Sequence, residues 1–147
     1  PGGSPFWQVT LSASPSPALS FLTMDFDVAA ARRNLQARQA RERAEREARH
    51  AAAEGAVTDA VHRVVGDFPS VRRVYLFGSV VRENAFRGDS DVDVAIEGLG
   101  VPDYFPIWRA IEEAAPGWTV DLHDITHPSA FAERVRATGK LIYERRD

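Results

Sequence analysis

The sequence predicts an α/β (α+β) domain: a small β-sheet interleaved with helices and preceded by a long polar helix. Three observations carry this. Short apolar runs at 71–77, 91–96, 118–124 and 141–143 have strand length and sit between Gly, Pro and other turn-forming residues. The segments between them repeat their apolar residues at helical spacing. Finally, Leu76-Phe77-Gly78-Ser79 sets a Gly-Ser turn at the end of the first strand, and Ser90-Asp91-Val92-Asp93 sets two carboxylates one residue apart on the second. Chain order alone leaves the strand directions open.

The first element in the chain is not part of that pattern. Residues 1–23 are rich in Pro, Ser and Gly, carry no charge and precede the only methionine, Met24. They read as a disordered extension, a cloning remnant or translated upstream sequence, with the ordered chain beginning at Met24. A signal peptide would need a basic start and a longer apolar stretch. Residues 25–54 read as one long helix rich in Ala, Arg, Glu and Gln. Glu42 with Arg46 and Glu45 with Arg49 are i,i+4 pairs in the favoured order. After Leu35 this helix has almost no apolar face. Its seven arginines nearly cancel its six acids, which favours a solvated helix over a nucleic-acid-binding arm.

Gly55 is expected to interrupt that helix, and the domain proper is expected over 56–147. A second, amphipathic helix follows, with Val57, Val61, Val64, Val65 and Phe68 on one face. The first strand comes next, and its Gly78-Ser79 turn opens a short helical segment. Gly88-Asp89-Ser90 leads into the second strand. A helix over 103–115 carries Tyr104, Ile107, Trp108 and Ile111 on one side and stops at Pro116-Gly117. The third strand, a helix over 128–138 with Phe131 and Val135 inward, and a short last strand complete the chain.

Composition removes several function classes. A chain of 147 residues has room for one domain with a small core. The net charge of −3 argues against binding nucleic acid through bulk charge. Without cysteine there is no disulfide, zinc–thiolate site or thiol nucleophile, which is compatible with the cytoplasm. His50, His62, His123 and His127 show no metal-ligand spacing. No apolar run approaches the roughly 20 residues of a membrane span.

The chemistry lies around the turn and the paired carboxylates. Alternate residues of a strand share a face, so Asp91 and Asp93 project together while Val92, Val94 and Ile96 point to the core. Two neighbouring carboxylates repel unless a cation neutralises them, and with Mg²⁺ they can hold a nucleotide's phosphates. Gly78 lets the backbone approach a phosphate without a Cβ in the way. Ser79 can donate its hydroxyl to a phosphate oxygen, and Arg82, one helical turn on, can face the same phosphates. Ser90 is placed to support the carboxylates from behind. Each has a plainer reading: a loop-edge acidic pair, a turn with Ser79 as helix cap, and an Arg82 salt bridge.

Gly78-Ser79, Arg82 and Ser90-Asp91-Val92-Asp93 resemble the signature of the DNA polymerase beta-like nucleotidyltransferases, and most of all their minimal, single-domain (MNT, antitoxin-like) members. The likeness covers about residues 56–145. The eleven residues between Ser79 and Asp91 exceed the usual spacing, and the loop 83–89 accommodates the excess. The resemblance implies a mixed sheet with helices mainly on one face and two Mg²⁺ ions, replaceable by Mn²⁺. It also implies a third carboxylate on a neighbouring strand. Asp121, in Thr119-Val120-Asp121-Leu122-His123, fits that role, with Asp124 as the competitor.

The implied activity is transfer of a nucleoside monophosphate, with ATP as donor, to an acceptor hydroxyl. In minimal members the acceptor is often a protein, and some act as antitoxins that adenylylate a HEPN-domain RNase toxin. The alternatives are transfer to a small molecule such as an aminoglycoside, for which a homo-oligomer would have to supply the acceptor pocket, and a domain that binds nucleotide or partner without catalysis. A processive polymerase is disfavoured, because the chain has no room for duplex-gripping domains.

Overall fold

The computed structural model describes the backbone of residues 17–87 and 89–147, and the side chains of those residues from Asp27 onward. Helix α1 runs over Pro17–Val64. It spans two units of the chain, which meet at Glu42/Arg43. In the first unit, every residue from Asp27 to Glu42 is exposed except Ala30, as a helix of charged and small residues requires. The second unit, Arg43–Asp147, contains the sheet and the remaining helices. No helix among the described residues is long and apolar enough to cross a membrane.

Two expectations about α1 need correction. Residues 17–23 belong to the helix instead of preceding it, while residues 1–16 lie outside the described residues. Gly55 does not interrupt the helix. Glycine costs a helix about 1 kcal/mol relative to alanine. Here that cost is offset by the apolar face around it: Ala53, Val57, Ala60 and Val61 are completely buried.

The sheet has the order β3-β2-β1-β4 and mixed direction. Strand β1 (Arg73–Phe77) lies antiparallel to β2 (Val92–Glu97) and to β4 (Lys140–Glu144), whereas β2 runs parallel to β3 (Val120–Asp124). Helix α2 (Tyr104–Ala114) makes the crossover between the parallel pair, and α3 (Ala130–Thr138) joins β3 to β4. Ser129 caps α3, its hydroxyl accepting from the Ala132 N–H at 3.0 Å.

Strand alternation divides the interior in two. Val74, Leu76, Val92, Val94, Ile96, Val120 and Leu122 face the larger core, completed by Val57, Val61 and Val64 of α1 and by Ile107 and Ile111 of α2. The opposite face carries a smaller cluster, in which Tyr75, Ala95 and Ile125 meet Ala132 and Val135 of α3. Helices thus pack mainly on one face. The smaller cluster covers only part of the other face, and beyond it lie Asp93 of β2 and Asp121 and His123 of β3 beside Phe77 of β1.

Strand β3 lies at the edge of the sheet, so the backbone groups on its outer side need other partners. Helix α2 supplies them. Tyr104 donates its hydroxyl to the Leu122 carbonyl at 2.7 Å, Trp108 donates its indole N–H to the Val120 carbonyl at 2.9 Å, and Glu112 accepts from the Val120 N–H at 3.0 Å. The side of α2 that the sequence marks as apolar therefore does polar work at its rim.

Candidate active site

Three neighbouring strands bring the site together. Phe77 is paired with Asp93 across β1 and β2, and Asp93 with Asp121 across β2 and β3. Residues directly opposite share a face, so Asp93 and Asp121 stand side by side on the face that α3 leaves open. Asp124 is aligned with Ile96, which faces the larger core, and so has the wrong parity. Its carboxylate is also engaged, accepting from the Thr126 N–H at 2.9 Å and from the Thr126 hydroxyl. Of the two acids, only Asp121 shares the face of Asp93.

Among the described residues, Asp93, Asp121 and His123 form a group whose ligand atoms all lie within 4.8 Å of one another. The Nε2 of His123 is 3.0 Å from Oδ2 of Asp121. Asp93 is half-buried and Asp121 is exposed. Burial, followed by the negative charge of Asp121, holds the Asp93 carboxyl above its ordinary range; His123 acts in the opposite sense and Asp91 adds to the rise. A site that penalises its own carboxylate in this way is suited to a cation.

His123 was not expected from the sequence, in which the spacing of the histidines alone carries no metal-ligand signal. The relevant pattern is Asp-x-His on a strand, which puts Asp121 and His123 on one face. The imidazole is framed by an edge contact with Phe77 at 5.2 Å and a tilted contact with Phe131 at 5.4 Å between ring centres. Phe131 is correspondingly not an inward residue of α3. It is 37 % exposed, while Ala132 and Val135 make the buried contacts.

The remaining expected residues fall around this group. Asp91 is the exposed residue just before β2, outside the close group but near enough for its charge to act on Asp93. Gly78 begins a 3₁₀ turn, Gly78–Val81, with φ 72°. A Cβ at Gly78 would lie 2.2 Å from Oδ2 of Asp93, so the glycine is required by both its conformation and its neighbour. Ser79 is not the cap of that turn, and among the described residues its hydroxyl makes no hydrogen bond. Arg82 is exposed; it donates from Nε to the Gly78 carbonyl at 3.4 Å and forms no ion pair among the described residues. Ser90 departs from expectation. Its hydroxyl accepts from the Arg87 N–H at 3.0 Å, so it braces the loop before Asp91 instead of bonding to a carboxylate.

One further contact holds the turn. His50 of α1 meets the Val80 carbonyl through Nε2 and stacks on Phe86 at 5.4 Å. On the other side, a cavity of about 400 Å³ opens beside Gly78 and Arg82, between the turn and α3, with Phe77, Val81, Phe131 and Arg134 in its walls. The order across the sheet is therefore Asp121 on β3, Asp93 on β2, the turn after β1, and then the cavity.

With this geometry in place, comparison with known proteins identifies the class. Residues 60–147 match the family described as Polymerase beta, Nucleotidyltransferase, and the chain belongs to that family. Among solved structures, a toxin–antitoxin complex with AMP-PNP shares the fold at 24 % identity and a TM-score of 0.50, over 60 % of this chain and 73 % of that one. The MntA–HepT toxin–antitoxin is similar at 21 % identity and a TM-score of 0.45, over 60 % and 71 %. A tri-AMPylated HEPN toxin with its MNT antitoxin from Shewanella oneidensis is similar at 21 % identity and 0.46, also over 60 % and 71 %. No match is found among curated proteins.

Proposed function

We propose that this nucleotidyltransferase transfers AMP from ATP to an acceptor hydroxyl and releases pyrophosphate. The observation that supports it is the side-by-side alignment of Asp93 and Asp121 on parallel strands, directly beneath a turn whose glycine cannot be replaced without striking Asp93. Nucleotidyl transfer needs an activated hydroxyl, a neutralised α-phosphate and a held leaving group, all in line. Asp91 and Asp93 would hold the Mg²⁺ that accompanies the triphosphate, and Asp121 would complete the position on the acceptor side. When bound, the divalent ions neutralise charge on the phosphate oxygens and acidify the acceptor hydroxyl.

The chain's own groups do the rest. The Gly78–Ser79 turn offers the Ser79 hydroxyl to phosphate oxygens, and Arg82 adds a charged donor from the same side. The acceptor would enter from the β3 side, opposite the turn, as an in-line displacement requires. A protein hydroxyl is the preferred acceptor, on a HEPN-type toxin; the fold shared with a toxin–antitoxin complex holding AMP-PNP is in keeping with this.

Incubation with ATP labelled at the α-phosphate, Mg²⁺ and a candidate HEPN-type partner protein tests the proposal. Label on the protein partner is expected. Label on a small molecule would move the acceptor to the aminoglycoside class, and nucleotide binding without any transfer would refute catalysis.

A further inference from the structure

We infer that His123 is a direct ligand of the metal position on the β3 side, giving it a nitrogen donor and a preference for a first-row transition ion such as Mn²⁺ over Mg²⁺. The inference rests on the metal-dependent reading above and adds to it the identity of the ion. Three observations carry it.

First, His123 lies within the same 4.8 Å group as Asp93 and Asp121, with its Nε2 only 3.0 Å from Oδ2 of Asp121. Two donors bound at right angles to one ion at about 2.1 Å are themselves about 3.0 Å apart. The spacing that serves as a hydrogen bond without an ion thus suits one edge of a coordination shell.

Second, the ring is held in place. Phe77 and Phe131 contact it at 5.2 Å and 5.4 Å, and its partner in the register of β2, Ala95, is fully buried in the smaller cluster and so anchors the strand beneath it. Its Nε2 is thereby held toward the Asp121 carboxylate, with Asp93 in the same close group.

Third, the donor set is mixed. Mg²⁺ takes oxygen ligands almost alone and keeps its waters, whereas an imidazole nitrogen suits the transition ions. Mn²⁺ is the first-row ion nearest to Mg²⁺ in its preference for carboxylate and water and the lowest in the first-row affinity order, so any gain it draws here from a nitrogen donor reports on the imidazole. It is also paramagnetic, which makes it the probe of choice.

The test is Mn²⁺ binding to the full chain, followed by electron paramagnetic resonance, with pulsed measurements for coupling to nitrogen. Wild type is expected to bind Mn²⁺ roughly tenfold or more tightly than Mg²⁺ and to show a ¹⁴N coupling. His123→Ala should lose the coupling and most of the preference while still binding either ion through its carboxylates. Absence of ¹⁴N coupling in wild type overturns the inference and needs no variant. Unchanged Mn²⁺ affinity in a folded His123→Ala also overturns it. Asp93→Asn and Asp121→Asn separate the two levels: if neither weakens Mn²⁺ binding, the metal site itself fails; if both do and His123→Ala does not, only the nitrogen ligand fails.

Discussion

Replacing Gly78 by alanine should be disproportionately destabilising, and the structure says why. Two costs add. At φ 72° an L-residue pays roughly 1–2 kcal/mol for the left-handed conformation. The new Cβ would also lie 2.2 Å from Oδ2 and 3.2 Å from Cγ of Asp93, so the carboxylate or the end of β1 must shift. Overpacking a core costs about 1–3 kcal/mol, and the tip of a half-buried carboxylate gives way more easily, so the added cost lies at the low end, about 1 kcal/mol. The total is therefore about 2–3 kcal/mol. Gly117 is an internal reference: its φ is 89°, and nothing lies within 4 Å of an added Cβ, so Gly117→Ala pays only the conformational cost. Urea unfolding followed by circular dichroism gives both values. The difference between them measures the contact with Asp93. A double-mutant cycle with Asp93→Ala should remove that difference, because the obstructing carboxylate is gone. Equal losses for Gly78→Ala and Gly117→Ala, or a contact cost that survives Asp93→Ala, would refute the reasoning.

Three other predictions concern the site and its supports. The raised pKa of Asp93 means that the folded chain binds that proton more tightly than the unfolded one, so the ionised carboxylate opposes folding above the raised pKa and ceases to as pH falls through it. In chelator, Asp93→Asn should melt above wild type at neutral pH, with the gap closing as pH falls toward the ordinary value near 3.8; a gap that ignores pH contradicts this. Asp121→Asn should lower transfer by roughly 10²–10⁴ or more while largely sparing ATP binding, and Asp124→Asn should leave transfer nearly unchanged; kinetics showing the reverse order would exchange their roles. Tyr104→Phe removes the hydroxyl that bonds to the Leu122 carbonyl and should cost about 1 kcal/mol, read as a lower melting temperature, with none lost if water takes over the bond.

How far the sequence carried the reading depended on the range of the signal. Local signals held. The strands around Leu76 and Val94, the turn at Gly78 and the helix of Ile107 and Ile111 all follow from periodicity and punctuation within a few residues. Gly55 misled because its local cost is real but small, and burial of Ala53 and Val57 on either side outweighs it. His123 was missed for a different reason. The spacing between histidines carries no signal, whereas its partners are Asp121, two residues away, and Asp93, on another strand. That second neighbour follows from β2 and β3 being parallel, which chain order does not reveal. Ser90 looked like a companion of the acids because it precedes Asp91, but the loop used its hydroxyl first.

The hydrogen bonds from α2 to the outer side of β3 have a consequence for fidelity. Side chains on a strand alternate, so a slip of one residue against β2 would put Leu122 where Asp121 stands and send the acid toward the core. An edge strand with free outer groups has little to resist such a slip. Here Tyr104 and Trp108 seek carbonyls two residues apart, and Glu112 seeks one particular N–H. All three are met only in the observed register. Helix α2 therefore acts as a gauge that sets the position of β3, and with it the side of the sheet on which the third carboxylate is delivered.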